Sequence, residues 1–350
     1  MQQKKVLVTG GTGYIGSHTV VELINNGFDV LVVDNLSNST IESLDGIEKI
    51  TGVRPIFEQF DLCDREKVQG LFKKYQDIGA IIHFAASKAV NESVEKPLLY
   101  YHNNLLSLIH LLEVIQENPL IRFVFSSSCT VYGQPDELPV TESSPVKQAT
   151  SPYGNTKQIA EEIIRDTTVA NPKITAIALR YFNPIGAHIS ALIGELPLGV
   201  PQNLVPFITQ TAIGLREQLR VFGDDYDTPD GSCIRDYIHV VDLAKAHVVA
   251  IKRLLEGKNK TQFEVFNLGT GRGVSVLELI HVFQNTTGVK VNYKVVGRRA
   301  GDIVKVWADT RLANEELGSK ATSTLEETLL SAWNWEKYYR NNGQINNGQM

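Results

Sequence analysis

The sequence predicts an α/β fold, with a doubly wound parallel sheet followed by a smaller, mixed α/β C-terminal lobe. Three observations carry this prediction. Short apolar runs alternate with segments of helical length in the first half. Most runs are nearly continuous in Val, Ile and Phe, which is typical of strands buried on both faces. The alternation implies right-handed crossovers, with helices on both faces of the sheet. Near Asn183 the rhythm breaks into a stretch rich in Gly and Pro.

Six strands and several helices are predicted in the first half of the chain. Two clear helical segments are Tyr14–Asn26 and Ser107–Glu117. The predicted strands are Lys5–Thr9, Val30–Asp34, Pro55–Asp61, Ala80–Ala85, Arg122–Ser126 and Thr175–Arg180.

The chain divides into two predicted domains, as expected for 350 residues at about 150 residues per domain. The first covers residues 1–183, and segments near 235–270 return to it. The second lobe covers residues 184–340. Residues 341–350 are polar and nearly uncharged, which predicts a disordered tail.

Composition excludes several functional classes. The formal net charge is −5 and no basic stripe is present, which argues against a nucleic-acid partner. No apolar run approaches the ~18–20 residues of a membrane span. The cysteines Cys63, Cys129 and Cys233 are far apart and lack metal-ligand spacing, so we expect no metal site and a cytoplasmic location.

A glycine-rich turn follows the first predicted strand. Gly10, Gly13 and Gly16 match a variant of the dinucleotide fingerprint, which alone is a weak signal. A strand before it and a helix after it strengthen the case for phosphates at a helix N-terminus. Asp34 ends the second strand, where a carboxylate binds ribose hydroxyls and favours NAD over NADP. An acidic turn residue is the alternative for Asp34.

Two other features stay open at this level. Asp61 follows the third strand and could meet an adenine amino group, but a turn residue is equally consistent with its position. A second glycine cluster, Gly269–Gly273, also follows a strand. No acidic residue ends a strand at the needed distance, and Ser275 resembles a helix cap, so we interpret the cluster as a loop.

A tyrosine and a lysine share one helix face. Ser151 suits a helix N-cap and Pro152 the first helical position, which places Tyr153 and Lys157 one turn apart. A free phenol has a pKa of about 10. A neighbouring ammonium and a pyridinium ring would both favour the phenolate that a general base needs at neutral pH. An amphipathic helix with incidental polar residues is the alternative.

Serines end the fifth predicted strand, at Ser126–Ser128. Ligands of open α/β sheets bind beyond the carboxyl ends of strands, so a hydroxyl there could share a substrate proton with the tyrosine. A polar strand exit would look the same.

Together these patterns resemble the extended short-chain dehydrogenase/reductase superfamily, and within it the UDP-glucose 4-epimerases, over residues 4–338. Five further motifs carry the narrower resemblance: F-A-A-S-K-A-V at Phe84–Val90, S-S-S-C-T-V-Y-G at Ser126–Gly133, R-Y-F-N-P-I-G-A-H at Arg180–His188, R-D-Y-I-H-V-V-D-L-A at Arg235–Ala244 and R-R-A-G-D at Arg298–Asp302.

The resemblance implies a Rossmann-like first domain that binds NAD and a lobe that binds a UDP-sugar. It implies interconversion of UDP-galactose and UDP-glucose by reversible NAD-dependent oxidation at sugar C4, through a 4-keto intermediate. It also implies a homodimer formed by helices near Asn91–Glu117 and Pro152–Thr168.

The resemblance further assigns roles to individual residues. The implied catalytic residues are Ser128, Tyr153 and Lys157. The implied NAD site consists of Gly10, Gly13, Tyr14, Ile15, Gly16, Asp34, Asn35, Ser37, Asn38, Ser39, Asp61, Leu62, Phe84, Ala85, Ala86, Lys88, Asn103, Ser126, Tyr153, Lys157 and Phe182. The implied UDP-sugar site consists of Lys88, Ser128, Tyr153, Phe182, Asn183, Asn203, Leu204, Val221, Phe222, Arg235, Tyr237, Arg299, Asp302 and Val306.

Some positions depart from the family pattern. Ala86 and Ser87 replace residues beside the cofactor, and Cys129 stands where a small Ala is common. Val306 is smaller than the tyrosine usual in relatives confined to plain hexoses, which predicts additional exchange of UDP-GlcNAc and UDP-GalNAc.

Three rival functions remain to be separated. A sugar-nucleotide 4,6-dehydratase needs an acidic pair directly after the strand-end Ser or Thr, and a UDP-glucuronate decarboxylase has a Glu there. Here Cys129 and Thr130 follow Ser128, so neither is acidic. A non-catalytic NAD-sensing regulator would commonly lack the Tyr153–Lys157 pair, which is intact here.

Overall fold

The computed structural model describes residues 4–299 and 301–346. Its strands, numbered in chain order, are β1 (Lys5–Thr9), β2 (Val30–Asp34), β3 (Ile56–Gln59), β4 (Ile78–His83), β5 (Arg122–Ser128), β6 (Ala176–Tyr181), β7 (Asn183–Ile185), β8 (Leu219–Phe222), β9 (Ile234–Arg235), β10 (Tyr237–His239), β11 (Phe263–Leu268), β12 (Val274–Ser275) and β13 (Tyr293–Val296).

Helices connect these strands, and two short helical turns accompany them, a 3₁₀ turn at Cys129–Tyr132 and a π turn at Ala313–Leu317. The α-helices are α1 (Tyr14–Asn25), α2 (Glu42–Thr51), α3 (Arg65–Lys74), α4 (Val90–Glu95), α5 (Pro97–Glu117), α6 (Pro152–Ala170), α7 (Leu204–Ala212), α8 (Val240–Leu255), α9 (Val276–Thr287) and α10 (Leu325–Asn346).

Seven strands form one parallel sheet in the order β11-β6-β5-β4-β1-β2-β3. The order reverses direction between β1 and β4, which is where ligands of doubly wound sheets bind. Successive side chains pack into different cores, since Val6 and Val8 face one cluster and Leu7 the other, and all three are fully buried. Helices therefore cover both faces, and the predicted fold class is confirmed.

The chain returns to this sheet late in the sequence. β11 lies at its edge beside β6, and α8 packs against α1. The remaining later elements build a smaller lobe in which α7, α9 and α10 surround short strand pairs, with Phe283 and Trp333 in edge-to-face contact in its core.

Several element boundaries differ from the sequence predictions, and three of these differences concern the site or the C-terminus. Helix α5 begins at Pro97 rather than Ser107, because Asn104, a polar residue that breaks the apolar period, is buried and hydrogen-bonded to Ser87 and Thr156. β5 extends to Ser128, so the serines lie within the strand end. α10 extends to Asn346, so residues 341–346 are helical rather than part of a disordered tail. Residues 347–350 lie outside the described part of the chain.

No described helix combines the length and the apolar character needed to cross a bilayer.

Three buried histidines make the fold sensitive to acid. Burial lowers the pKa of His18 and His83 to about 3 and that of His247 to about 4. An unfolded histidine has a pKa of about 6.5. Below that value the unfolded state binds protons that the folded state excludes, so stability is lost as the pH falls from about 6.5 toward the folded pKa values.

The variant His247→Phe tests this dependence. The ring packs against Phe84, 4.7 Å away between centroids, so Phe keeps the aromatic contact and removes the titration. The free energy of unfolding of the native protein should fall between pH 7.5 and 5.5, each buried histidine contributing about 1 kcal/mol. The variant should lose about 1 kcal/mol less over that interval, measured by urea unfolding. An identical pH dependence in both proteins would contradict the assignment.

Candidate active site

A cleft of about 1400 Å³ opens at the carboxyl ends of the parallel strands. Five chain segments form its walls: the turn after β1, the ends of β2, β4 and β5, and the first turns of α6. Residues from the second lobe, including Asn203, Trp335 and Tyr339, close the other side together with Phe182 and Asn183. The cleft therefore lies between the sheet and the lobe, where the strand order reverses.

The glycine turn after β1 requires the absence of side chains. A Cβ on Gly16 would lie 2.1 Å from the Gly10 carbonyl oxygen, and one on Gly10 would lie 2.8 Å from the Ala85 nitrogen. Gly10 also has a φ of +69°, which disfavours other residues. Helix α1 begins after Gly13 with no capping side chain, so its positive end faces the cleft. This cradle fits a diphosphate group.

Asp34 is fixed at the end of β2. Its carboxylate accepts hydrogen bonds from the backbone N–H groups of Thr12 (3.3 Å) and Leu36 (2.9 Å) and from the Ser39 hydroxyl (3.1 Å). Thr12 and Ser39 also share a 2.8 Å hydrogen bond. The carboxylate is thus held at the cleft wall, beside the glycine turn. Sequence analysis missed Thr12, whose position inside the fingerprint was the available signal.

Asp61 lines the same wall and also organises a turn. It accepts hydrogen bonds from the Cys63 backbone N–H (2.8 Å) and from the Asn35 side chain (3.1 Å). Burial alone would raise the pKa of Asp61, but these hydrogen bonds lower it. The turn interpretation therefore describes its hydrogen bonds, and contact with an adenine amino group stays a prediction.

Tyr153 and Lys157 project from the start of α6 toward the end of β5. Ser151 caps the helix, accepting the Gly154 N–H at 3.2 Å. The Lys157 ammonium donates to the Ser126 carbonyl oxygen at 2.7 Å and lies 5.9 Å from the centre of the Tyr153 ring. The Ser128 side chain also lies close enough to lower the pKa of the Tyr153 phenol. A proton donor-acceptor pair and a buried cation thus share one corner of the cleft.

The electrostatics of this corner differ from the simplest expectation. Burial raises the pKa of Tyr153, and the hydrogen bond from Ser128 only partly opposes the rise. Burial also lowers the pKa of Lys157 to about 8, although Glu161 opposes that shift. The lysine is directed at a carbonyl oxygen, so it does not by itself bring Tyr153 into the neutral range. A phenolate here needs a second positive charge in the cleft.

A buried ionic network supports the strand end from behind. Glu161 accepts a hydrogen bond from the Ser127 hydroxyl at 2.5 Å and pairs with Arg180 through two guanidinium nitrogens, at 2.9 and 2.5 Å. Both charged side chains are 4% exposed. Arg180 also donates to the Tyr132 hydroxyl, which donates to Asn267. The sequence signal for this network was an arginine at the end of an otherwise apolar strand.

The cleft gathers most of the site predicted from the sequence. All the predicted NAD residues line it: Gly10, Gly13, Tyr14, Ile15, Gly16, Asp34, Asn35, Ser37, Asn38, Ser39, Asp61, Leu62, Phe84, Ala85, Ala86, Lys88, Asn103, Ser126, Tyr153, Lys157 and Phe182. Of the predicted UDP-sugar residues, those that line it are Lys88, Ser128, Tyr153, Phe182, Asn183 and Asn203.

The other predicted UDP-sugar residues lie outside the residues that line this cleft: Leu204, Val221, Phe222, Arg235, Tyr237, Arg299, Asp302 and Val306. Arg299 lies 5.2 Å above the Phe222 ring and forms an ion pair with Asp302 at 2.7 Å. Val306 is 3% exposed and belongs to a buried cluster that includes Phe182 and Cys129. Val306 therefore adjoins the cleft through Phe182.

Several contacts of the cleft had no sequence signal. The Tyr14 hydroxyl donates to the Gly186 carbonyl oxygen at 2.6 Å, joining α1 to the second lobe. Glu195 accepts a hydrogen bond from Asn203 at 2.5 Å, and burial raises its pKa. Trp335 and Tyr339 of α10 also line the cleft. Their spacing in the sequence carries no pattern, because only the tertiary fold brings them to the site.

Residues 4–299 and 301–346 contain no group of three or more His, Cys, Asp or Glu side chains that could hold a metal ion.

Similarity to known proteins assigns the chain to a family. A family model described as GDP-mannose 4,6 dehydratase matches residues 7–331. UDP-glucose 4-epimerase from Bacillus subtilis is 50% identical over 331 residues, which are 95% of this chain and 96% of that protein. The Homo sapiens UDP-glucose 4-epimerase is 49% identical over 340 residues, 95% and 97% of the two chains. The chain belongs to the UDP-glucose 4-epimerase family.

Solved structures of this family share the fold. The Bifidobacterium longum UDP-glucose 4-epimerase, crystallised with NAD+ and UDP, superposes with a TM-score of 0.92 at 46% identity, covering 96% of this chain and 99% of that one. The matching family model carries the description of a dehydratase, but no acidic residue stands at Cys129 or Thr130 after the strand-end serine. The family resemblance inferred from the sequence motifs is confirmed.

The network behind the strand end predicts a large stability effect for Glu161→Gln. The substitution leaves the Arg180 charge buried without its carboxylate, so the free energy of unfolding should fall by about 3–5 kcal/mol in urea unfolding. The matched control is Glu162→Gln, because Glu162 is exposed on the same helix and should change that free energy by about 0.5 kcal/mol or less. Equal effects of the two substitutions would contradict the role of the network.

Proposed function

We propose that the protein interconverts UDP-galactose and UDP-glucose by inverting the configuration at C4 of the sugar, with NAD as its cofactor. One observation carries the proposal: the hydroxyl-bearing side chains of Ser128 and Tyr153 line the same cleft as a diphosphate cradle and a buried lysine. Membership of the epimerase family supports the same conclusion.

The first-domain wall of the cleft is the proposed NAD site. The turn at Gly10–Gly16 would hold the pyrophosphate, and Asp34 the adenosine ribose, where its charge would repel a 2′-phosphate. Lys157 would bind the nicotinamide ribose and contribute positive charge beside Tyr153. NAD supplies a reversible hydride acceptor for sugar C4 when it is bound.

The chain's own residues handle the proton. Tyr153, once ionised, would take the proton of the sugar 4-hydroxyl, and Ser128 would bridge the two oxygens through its own hydroxyl. The same proton would return when the 4-keto sugar is reduced on its opposite face.

The nucleotide must be held while the sugar turns. Arg235 and Arg299 are the proposed diphosphate ligands, because planar guanidinium groups match phosphate oxygens better than ammonium groups do. Arg299 is already oriented by its ion pair with Asp302. The 4-keto sugar could then present either face to the cofactor without release of the UDP.

A dimer and a cytoplasmic location complete the proposal. Apolar side chains emerge from the two helices implicated in pairing: Leu98 of α5 is 80% exposed and Val169 of α6 is 75% exposed. Burying such surface in a second copy would be favourable, and sedimentation as a monomer would contradict it. The free thiols of Cys63, Cys129 and Cys233 support a reducing compartment.

Turnover of UDP-galactose tests the proposed function. The purified protein should form UDP-glucose without added NAD, whereas a dehydratase, a decarboxylase or a non-catalytic NAD-binding regulator would not. Tyr153→Phe removes the proton acceptor and should lower the rate by about 10²–10⁴-fold while NAD content is retained. The matched control, Tyr75→Phe, loses a partly buried hydroxyl that is bonded to Glu58 outside the cleft lining, and it should keep its rate. A near-normal rate in Tyr153→Phe would refute the mechanism.

Exchange of UDP-GlcNAc and UDP-GalNAc is the proposed second reaction, based on the small side chain of Val306. Val306 is packed in the buried cluster that contains Phe182. A tyrosine at position 306 is larger and should therefore displace its neighbours toward the cleft. Val306→Tyr should lower the rate with N-acetylated sugars relative to UDP-galactose by about tenfold or more, whereas Val306→Ala should not. No N-acetyl turnover by the native protein, at enzyme levels where UDP-galactose reacts fast, would reject the reaction.

A further inference from the structure

The second glycine cluster receives a carboxylate from the protein itself. The loop Gly269–Gly273 surrounds Asp236, which is fully buried. Its Oδ1 accepts hydrogen bonds from the Thr270 N–H (2.8 Å) and hydroxyl (2.7 Å). Its Oδ2 accepts hydrogen bonds from the N–H groups of Gly271 and Ala308, both at 3.1 Å. Successive backbone N–H groups form such an anion nest, and here Asp236 is the anion.

The glycines of the loop are fitted to this carboxylate. A Cβ on Gly269 would lie 2.4 Å from Asp236 Oδ2, and Gly271 has a φ of +77°. Gly273 approaches β9, since a Cβ on Gly273 would lie 2.5 Å from the Ile234 side chain. The spacing that resembled a cofactor fingerprint thus serves to enclose one side chain.

Asp236 stands between two residues of the proposed UDP-sugar site, Arg235 and Tyr237. Its backbone carbonyl oxygen accepts the Asn183 N–H at 2.9 Å, which joins it to β7. Through Ala308 it also holds the segment that contains Val306, whose N–H donates to Ile234. Asp236 therefore links the loop after sheet strand β11 to the Val306 segment through its carboxylate and to β7 through its backbone carbonyl.

We infer that Asp236 is a positioning residue that sets Arg235, Tyr237 and the Val306 segment at a fixed distance from Ser128 and Tyr153. This inference rests on the proposed function for the identity of the ligand. An uncompensated buried carboxylate would be costly, so its four hydrogen bonds fix the loop and both chain segments in one arrangement. The site it orders is the UDP-sugar site, and the NAD wall of the cleft does not depend on it.

Asp236→Asn tests the inference. The asparagine side chain has an NH₂ group in place of one carboxylate oxygen. That group cannot accept hydrogen bonds from the two donors it would face, so the nest would lose about half its hydrogen bonds. The KM for UDP-galactose and the inhibition constant of UDP should both rise about tenfold or more, with a smaller change in kcat and unchanged NAD content. Thr270→Val removes only the hydrogen bond from the threonine hydroxyl and should raise both the KM and the inhibition constant about threefold. If Asp236→Asn does not fold, the result for Thr270→Val decides whether Asp236 is a positioning residue.

Asp242→Asn is the matched control. Asp242 is 5% exposed and its carboxylate also accepts backbone N–H groups, but its partners are Thr322 and Ser323, and neither is a proposed substrate residue. Its KM should stay within about twofold of the native value even where its unfolding midpoint falls. The inference would be overturned if Asp236→Asn kept the KM and the UDP inhibition constant of the native protein. If Asp236→Asn is unfolded, the same result for Thr270→Val would overturn it.

The proposed function and the positioning role of Asp236 can be rejected independently of each other. If the native protein does not turn over UDP-galactose, the proposed function is wrong, whatever the variants do. Direct calorimetric titration with UDP then still measures the effect of Asp236→Asn on nucleotide binding. An unchanged affinity for UDP would overturn the positioning role, and a loss of about tenfold would support it.

Discussion

The site depends on two ionisable side chains that share one strand end, Lys157, which is buried, and Tyr153, which is partly buried. Lys157 and Tyr153 lie one helical turn apart at the end of β5, and burial opposes the charged form of each. Transfer of an isolated charge into such an environment is costly. The lysine is stabilised by the Ser126 carbonyl oxygen and by the field of Glu161, whereas the phenol has only Ser128 as a favourable partner. Ionisation of Tyr153 is therefore coupled to positive charge that a ligand brings into the cleft.

The parallel sheet explains why so many separate segments meet at this place. All seven strands point the same way, so the residues that follow them gather at a single edge. The glycine turn after β1, Asp34 at the end of β2 and Ser128 at the end of β5 are far apart in sequence yet share one cleft. The second lobe closes this edge, and contacts such as Tyr14 to Gly186 join it to the first domain.

Sequence patterns predicted the parts of the site that depend on local geometry. The strand starts, the glycine turn, the Ser151 cap and the Tyr153–Lys157 spacing all follow from periodicity, capping and φ preferences. Long-range contacts left no such pattern: the pairing of Glu161 with Arg180, the approach of Trp335 to the cleft and the enclosure of Asp236 depend on tertiary packing. The start of α5 was misplaced for the same reason, because Asn104 is buried only through its partners.

Ionisation of the Tyr153 phenol in the NAD-bound protein tests the central claim most directly. The measurement is the phenolate absorbance of the native protein minus that of Tyr153→Phe, followed as a function of pH with and without NAD. The account predicts one additional phenol that ionises near pH ~7 with NAD bound and well above pH ~10 once NAD is removed. Titration at the same high pH in both forms would contradict it.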